Sequence, residues 1–139
     1  MSIVFNYDIE NFRVRESKKI KSVIKKLLTD ENKEEGLIRF IFTSDEKILD
    51  INREFLNHNF FTDIITFDYG EGNTVSGEIY ISIETVKENS EIYNKSFKDE
   101  IHRVIFHGIL HLCGYKDKSE PEIKEMRYME EKYLVFLSL

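Results

Sequence analysis

The fold is organised around the stretch His107-Gly108-Ile109-Leu110-His111-Leu112-Cys113-Gly114-Tyr115-Lys116-Asp117, which closes a long helical pattern. His107 and His111 are four residues apart, so on a helix their imidazoles lie on one face and can share a cation. Gly114 fits the left-handed position that ends a helix, and the resulting turn directs Asp117 back toward the histidines. The spacing H-x-x-x-H-x-x-G-x-x-D therefore predicts a metal helix whose end gathers three ligands.

The predicted ligands are two neutral nitrogens and one carboxylate, a set that suits Zn²⁺ with an open fourth position for water. Non-haem Fe²⁺ uses the same set, and Ni²⁺ and Mn²⁺ are further alternatives. The competing interpretation is a pair of buried histidines satisfied by hydrogen bonds, followed by a solvated turn aspartate. Cys113 would point about 200° away from His111 on a helix, so we predict that it packs in the core and binds no metal.

Length and composition limit the class of protein. The 139 residues predict one domain over 1–139, and the single cysteine fits a reducing compartment. We expect no leader peptide, and the longest apolar runs, such as 133–137, are far too short to cross a bilayer. These features predict a soluble, cytoplasmic protein with no membrane partner, and we assume a monomer.

Charge is distributed unevenly along the chain. The formal net charge of −6 argues against a protein that binds nucleic acid over its whole surface, whereas residues 1–28 carry seven Lys or Arg and three Asp or Glu, a net +4. This basic segment predicts either a surface that meets phosphates or the solvated side of an amphipathic helix.

Hydrophobic periodicity divides the chain into strands and helices. Alternation or β-rich composition predicts four strands, at 3–7, 37–42, 63–69 and 75–82, the second buried on both faces and the last two paired as a hairpin. Helical spacing predicts five helices, around 20–28, 48–55, 84–94, 96–112 and 119–136. The sequence therefore predicts an α+β fold, a mixed sheet of about four strands packed with about five helices, including a zincin-like metal helix.

Two helix starts have the signature of a capping box, a hydroxyl residue followed three positions later by glutamate. The first pairs Thr43 with Glu46 before the helix that buries Ile48, Ile51 and Phe55. The second pairs Ser119 with Glu122, and Pro121 is tolerated inside that first helical turn.

Three motifs together resemble the YbeY family of bacterial metal-dependent endoribonucleases. They are His107-Gly108-x-Leu110-His111-Leu112-x-Gly114-Tyr115, Thr62-Asp63-Ile64-Ile65-Thr66-Phe67 and Gly77-Glu78-Ile79-Tyr80-Ile81-Ser82, within a likeness that spans residues 48–130. The resemblance implies a zinc-dependent endoribonuclease that cleaves single-stranded RNA with a metal-activated water. It further implies a cytoplasmic role in ribosomal RNA processing and ribosome quality control, with the ribosome as partner and Thr62 and Asp63 near the substrate.

The chain departs from the family's pattern at two places. Where the family usually has Asp-His after the Gly-Tyr pair, this chain has Lys116-Asp117, so Asp117 stands at the position of the third histidine ligand. Six residues before Thr62 the family commonly has an arginine considered catalytic, and here that residue is Leu56. Aspartate is a competent zinc ligand, but leucine binds no phosphate.

Other residues are candidates for substrate binding or proton transfer. Arg103 lies on the stripe of His107 and is predicted either to orient phosphate or to be an ordinary surface arginine. Lys116 and Lys118 flank Asp117 and are candidates for the cation that Leu56 does not supply. His58, in the loop before Thr62, is a candidate proton donor, whereas His102 lies off the ligand face and is expected to be structural.

Two other functions compete with RNA cleavage. Metzincin peptidases share the ligand spacing but need a glutamate after the first histidine as general base, and here that residue is Gly108. A zinc-stabilised, non-catalytic module that binds the ribosome is favoured if Leu56 abolishes turnover.

Overall fold

The structure is a computed structural model that describes residues 2–56 and 62–139. Its elements, in chain order, are β1 Ile3–Tyr7, α1 Ser17–Asp30, β2 Glu34–Thr43, α2 Asp45–Phe55, β3 Ile64–Asp68, β4 Thr74–Ser82, α3 Ile83–Ile92, α4 Phe97–Leu112 and α5 Glu120–Leu134. A 3-10 helix, Val135–Ser138, follows α5. No helix in these two ranges is long and apolar enough to span a membrane.

The four strands form one mixed sheet in the order β1-β2-β4-β3. β1, β2 and β4 run parallel, because α1 connects the first two and α2 lies in the connection that leads on to the hairpin. β3 is antiparallel to β4, with Ile64 opposite Ile81. In residues 2–56 and 62–139, the predicted α+β class, the four-stranded mixed sheet, the five α-helices and the hairpin are confirmed.

The two faces of the sheet are covered unequally. Along β4, the side chains of Val75, Ile79 and Ile81 join the main core, which also contains the buried residues of α1, α4 and α5. The alternate residue Tyr80 points to the opposite face, where it packs with the small cluster formed by Ile48, Ile51 and Ile65. The metal helix α4 therefore lies on the deeply buried side of the sheet.

Two predictions about β2 were wrong. The strand begins at Glu34, three residues before the predicted start at 37, because the chain also pairs with β4 before an irregularity in register between Glu35 and Ile38. Nor is it buried on both faces, since Leu37 is 53% exposed and Arg39 is exposed. Among residues 2–56 and 62–139, the buried cluster on the second face is the small one formed with α2, and its strand residues come from β3 and β4.

The start of α2 also differs from the prediction. Ser44, and not Thr43, is the N-cap, and its hydroxyl accepts a hydrogen bond from the backbone N–H of Lys47. Thr43 is still part of β2, where its hydroxyl donates to the carboxylate of Asp8. Phe55, which was predicted to be buried, is 63% exposed at the far end of the helix.

The second predicted capping box is confirmed. Ser119 caps α5, its hydroxyl accepts from the N–H of Glu122, and the Glu122 carboxylate accepts from the N–H of Ser119. Pro121 lies in the first turn. The helix ends at Leu134, so Phe136, which was predicted to continue it, lies in the 3-10 helix.

The lysines of α1 largely contact the protein itself. Lys19 donates to the backbone carbonyls of Leu137 and Leu139, each at 2.9 Å, and so ties the C-terminal residues to α1. Lys21 lies 4.9 Å from the ring centroid of Phe5. Such contacts favour a structural use of this basic segment, and its use as a phosphate-binding surface stays a prediction.

Candidate metal centre

The end of α4 is a Schellman motif that reverses the chain. Gly114, just after the C-cap Cys113, has a φ of +106°, a conformation that residues with a side chain rarely adopt. Its N–H donates to the carbonyl of His111, and the N–H of Tyr115 donates to the carbonyl of Leu110, both at 3.0 Å. This reversal brings the following residues back over the last turn of the helix, as the sequence predicted.

The reversal brings Asp117 to both histidines. Its Oδ2 lies 3.3 Å from Nε2 of His107 and 3.4 Å from Nε2 of His111, and the three potential ligand atoms lie within 4.8 Å of one another. Donors placed 2.0–2.1 Å from a tetrahedral zinc ion are separated by about 3.3 Å. The two distances from Asp117 therefore match those between ligands of a tetrahedral zinc ion, and the two histidine nitrogens lie within 4.8 Å of each other.

Both imidazoles are oriented by an acceptor at their other nitrogen. Nδ1 of His107 lies 2.6 Å from Oε2 of Glu130, and Nδ1 of His111 lies 3.0 Å from the carbonyl oxygen of Tyr115. A carboxylate and a carbonyl can only accept, so in each neutral ring the proton belongs on Nδ1. The Nε2 lone pairs are then available to a cation, which is the usual arrangement of histidine metal ligands.

The candidate ligands differ in their access to solvent. The exposed fraction of the side chain is 12% for His107, 25% for His111 and 38% for Asp117. Water and a polymeric substrate would therefore approach from the side of Asp117, while His107 is anchored in the protein.

Glu130 is the centre of a buried charge network beneath the site. It is 1% exposed and accepts hydrogen bonds from Arg103 and Arg127 as well as from His107. Burial opposes its ionisation, but the hydrogen bond from His107 and the charges of the two arginines outweigh this effect and lower its pKa. Glu130 is therefore a carboxylate at neutral pH.

Arg103 belongs to this network. Its side chain is 18% exposed and donates to both oxygens of Glu100 and both oxygens of Glu130. Burial disfavours its charge, yet the two carboxylates raise its pKa above the ordinary value. The guanidinium is thus committed to protein acceptors, which favours a supporting role. Its predicted contact with phosphate stays a prediction.

The side chain of Tyr115 is fixed by a hydrogen bond from its hydroxyl group. Its hydroxyl donates to Glu31 at the end of α1, at 3.0 Å. Burial, together with this bond to a carboxylate, raises the pKa of Tyr115 to about 12. The carbonyl that orients His111 is therefore held by a side chain anchored on another helix.

The remaining candidates lie around the centre or outside the described ranges. Lys116 and Lys118 are exposed on either side of Asp117, and neither forms a salt bridge with any residue in 2–56 or 62–139. Leu56 is the C-cap of α2 and is 39% exposed. His58 lies outside the residues that the structure describes.

Thr62 and Asp63 lead into β3 and are half-buried. The carbonyl of Asp63 accepts from the N–H of Ser82 at 2.9 Å, which extends the β3–β4 pairing. Their predicted role in substrate binding stays a prediction.

Two further polar residues, His102 in α4 and Cys113 at its C-cap, were predicted to be structural. Burial raises the pKa of the Cys113 thiol to about 12, and the residue packs against the main core, as predicted. His102 is 4% exposed, and burial followed by the charge of Lys98 lowers its pKa. Both observations agree with the structural roles predicted for these residues.

Gly108 explains why a metzincin-type glutamate is absent. A Cβ atom at this position would lie 3.0 Å from Cδ1 of Ile64 and 3.0 Å from Cγ2 of Ile79. The position faces the sheet, so a longer side chain would enter the core. A general base cannot be supplied from residue 108 while α4 packs this closely.

The sequence did not identify Glu130. A signal was available, because Glu130 follows Met126 by four residues and precedes Tyr133 by three, on the buried stripe of α5. An acidic residue on such a stripe needs a cation or a hydrogen-bond donor, and a histidine ligand is one such donor.

The fold and the site define the class of protein. It is an α+β domain in which a candidate metal-binding triad lies at the end of a buried helix. The family model described as Endoribonuclease YbeY matches residues 5–138. The chain belongs to the YbeY family.

Relatives and a solved structure agree with this assignment. The Endoribonuclease YbeY of Bacteroides fragilis is 47% identical over 134 residues, or 95% of this chain and 96% of the relative. That of Flavobacterium psychrophilum is 45% identical over 132 residues, or 95% and 94%. The solution structure of a Thermotoga maritima protein matches with a TM-score of 0.65 and 28% identity, covering 96% of this chain and 87% of that one.

The geometry predicts the effect of removing each ligand. His107→Ala, His111→Ala and Asp117→Ala should each lose bound metal, whereas Asp117→His should keep it, because nitrogen replaces oxygen at the same vertex. Elemental analysis after gel filtration measures the metal content. Glu125→Ala, which removes another acid beside the same turn, is the matched control. A full equivalent of metal in all three alanine variants would contradict the site.

The packing of residue 108 gives a second prediction. Gly108→Glu should lower the free energy of unfolding by about 3 kcal/mol or more, because it forces a carboxylate between Ile64 and Ile79. Gly108→Ala adds only a Cβ and gains helix propensity, so its effect should be much smaller. Urea denaturation measures both. A Gly108→Glu variant as stable as the wild type that cleaves casein would refute this account.

Proposed function

We propose that the protein is a metal-dependent endoribonuclease that hydrolyses phosphodiester bonds in single-stranded RNA. The observation that carries the proposal is the convergence of two Nε2 atoms and one carboxylate oxygen, with both Nδ1 atoms bonded to protein acceptors. Membership of a family whose model and relatives are named Endoribonuclease YbeY supports RNA as the substrate and hydrolysis as the reaction.

The finer parts of the proposal rest on family resemblance and composition. We assign the protein, as one unit over residues 1–139, to ribosomal RNA processing and ribosome quality control in the cytoplasm, acting as a monomer on the ribosome. Zn²⁺ is the proposed metal, because two imidazoles and a carboxylate suit it and Oδ2 of Asp117 lies 3.3 and 3.4 Å from the two Nε2 atoms. Fe²⁺, Ni²⁺ and Mn²⁺ remain alternatives that metal analysis of protein purified without chelator distinguishes.

The residues of the candidate site have different roles in the proposed reaction. A divalent cation held by His107, His111 and Asp117 would supply activation of water and neutralisation of the charge that develops on the phosphoryl oxygens. His107 and His111 present their Nε2 atoms in fixed directions, so little reorganisation is needed on binding. Asp117 contributes a negative charge at the most exposed vertex, and the ammonium groups of Lys116 and Lys118 on either side of it attract the RNA backbone.

The two competing functions differ in what the structure offers them. Peptide hydrolysis of the metzincin type is disfavoured, because position 108 has no room for the glutamate. A non-catalytic binding module stays open, since it needs only the metal and the fold.

One experiment separates the three functions. Metal-loaded protein should cut single-stranded RNA, leave duplex RNA and casein intact, and lose the activity with a chelator. Restoration of activity by added Zn²⁺ shows that chelation removed the metal and did not unfold the protein. Casein cleavage would instead support the peptidase, and cleavage of neither polymer by fully metallated protein would support the binding module.

Leu56 gives a second, independent prediction. Leu56→Arg should raise cleavage of single-stranded RNA about ten-fold, or about 1.4 kcal/mol of transition-state stabilisation, without changing the metal content, because a guanidinium pairs with phosphate through two hydrogen bonds. Leu56→Gln, which adds length without charge, is the control. Unchanged activity in a folded, metallated arginine variant would show that position 56 is outside the active site.

The same position tests whether a lysine has replaced the family's arginine. If Lys116 or Lys118 supplies the missing charge, its replacement by alanine should depress activity more in the wild type than in the Leu56→Arg variant. Single-turnover cleavage rates of the four members of each double-mutant cycle measure this coupling. Additive effects at both lysines would contradict the substitution.

A further inference from the structure

We infer that Glu130 of α5 is a positioning residue for metal binding: held between Arg103 and Arg127, it fixes His107 in the tautomer that presents Nε2 before any metal arrives. The inference rests on the metal site of the proposed function, but not on RNA cleavage. It links a helix that contributes no ligand to the affinity of the centre.

The contacts of Glu130 leave it one orientation. Oε1 accepts from Arg127 at 2.8 Å and from Arg103 at 3.2 Å. Oε2 accepts from Arg103 at 3.2 Å and from Nδ1 of His107 at 2.6 Å. Because the side chain is 1% exposed, water does not compete for these oxygens. The shortest of the four contacts is the one made by the metal-ligand candidate.

The arginines allow a charged acceptor in this buried place. A lone buried carboxylate would become protonated and could then donate to His107, which would favour the wrong tautomer. Arg103 is itself fixed by Glu100, with N–O distances of 2.7 and 3.0 Å. Glu100, Arg103, Glu130 and Arg127 therefore form a chain of alternating charge with no net charge, and its free acceptor capacity points at His107.

The two histidines consequently have different outer partners. His107 donates to an ionised carboxylate, whereas His111 donates to the neutral carbonyl of Tyr115. A hydrogen bond to a carboxylate raises the basicity of an imidazole ligand more than a bond to a carbonyl. The Nε2 atom of His107 is thus the more basic ligand atom of the two, and this basicity depends on Glu130.

A merely structural role for Glu130, bridging α4 and α5, predicts something different. Such a bridge would affect stability, but it would not set the position of the proton on His107. Glu130→Gln separates the two roles. The amide oxygen replaces Oε1 between Arg103 and Arg127, so the NH₂ group faces Nδ1 of His107 and favours the tautomer that carries its proton on Nε2.

The test uses metal-free protein, with the wild type and the variants compared under identical conditions. Nitrogen-15 NMR of the imidazoles should show His107 protonated on Nδ1 in the wild type and on Nε2 in Glu130→Gln. Competition with a chromogenic chelator should show Zn²⁺ affinity about 10- to 100-fold lower in the variant. Glu131→Gln, an exposed neighbour on the same helix, should change neither.

Several outcomes would overturn the inference. Wild-type His107 protonated on Nε2 would do so without any variant, as would a Glu130→Gln protein with unchanged tautomer and affinity. If Glu130→Gln does not fold, Arg127→Gln serves instead, because that arginine is 54% exposed, and unchanged Zn²⁺ affinity in that variant would refute the role. Lack of RNA cleavage alone would refute only the proposed function, since neither measurement uses RNA.

Discussion

The metal centre depends on how closely α4 packs against the sheet. The contact at Gly108 brings the helix within reach of Ile64 and Ile79, which fixes both its distance from the sheet and its rotation. With 108 facing inward, His107 and His111 lie on the flank of the helix, 12% and 25% exposed, at the boundary between core and solvent. A ligand pair fully in the core would exclude substrate, and a pair fully in solvent would lack oriented partners.

The other parts of the site depend on the position of the two histidines at the boundary between core and solvent. The Schellman motif at Gly114 turns the chain back along α4, so the polar side chains that follow it lie close to the two histidines. Packing of α5 against α4 then brings Glu130 beneath His107. The three candidate ligands therefore lie close together in the sequence. The residues that orient them lie on α5 and, through the hydrogen bond between Tyr115 and Glu31, at the end of α1.

This division explains how much could be predicted from the sequence. The convergence of His107, His111 and Asp117, the helix end and the hairpin depend on spacings of a few residues, and all three features are present in the structure. That the three side chains bind a metal stays a prediction. Glu130 could not be assigned, because nothing in the sequence shows which residue of α4 a buried acid of α5 will meet. The N-cap predicted at Thr43 was wrong for a related reason. The carboxylate of Asp8, on a distant segment, accepts a hydrogen bond from the Thr43 hydroxyl and holds Thr43 in β2, so Ser44 is the N-cap of α2.

The departures from the family's usual pattern make sense together as a balance of charge. Replacing the arginine by Leu56 removes one positive charge, and placing Asp117 at the third ligand position adds one negative charge. Lys116 stands where the family usually has an aspartate, which makes that position more positive by two. Against the family pattern that the resemblance implies, the three changes sum to no net change in charge, and the positive charge lies in the ligand turn. A guanidinium and an ammonium are not equivalent, because lysine is a point charge and offers no paired hydrogen bonds. We therefore expect such an exchange to preserve the attraction of a phosphate better than its orientation.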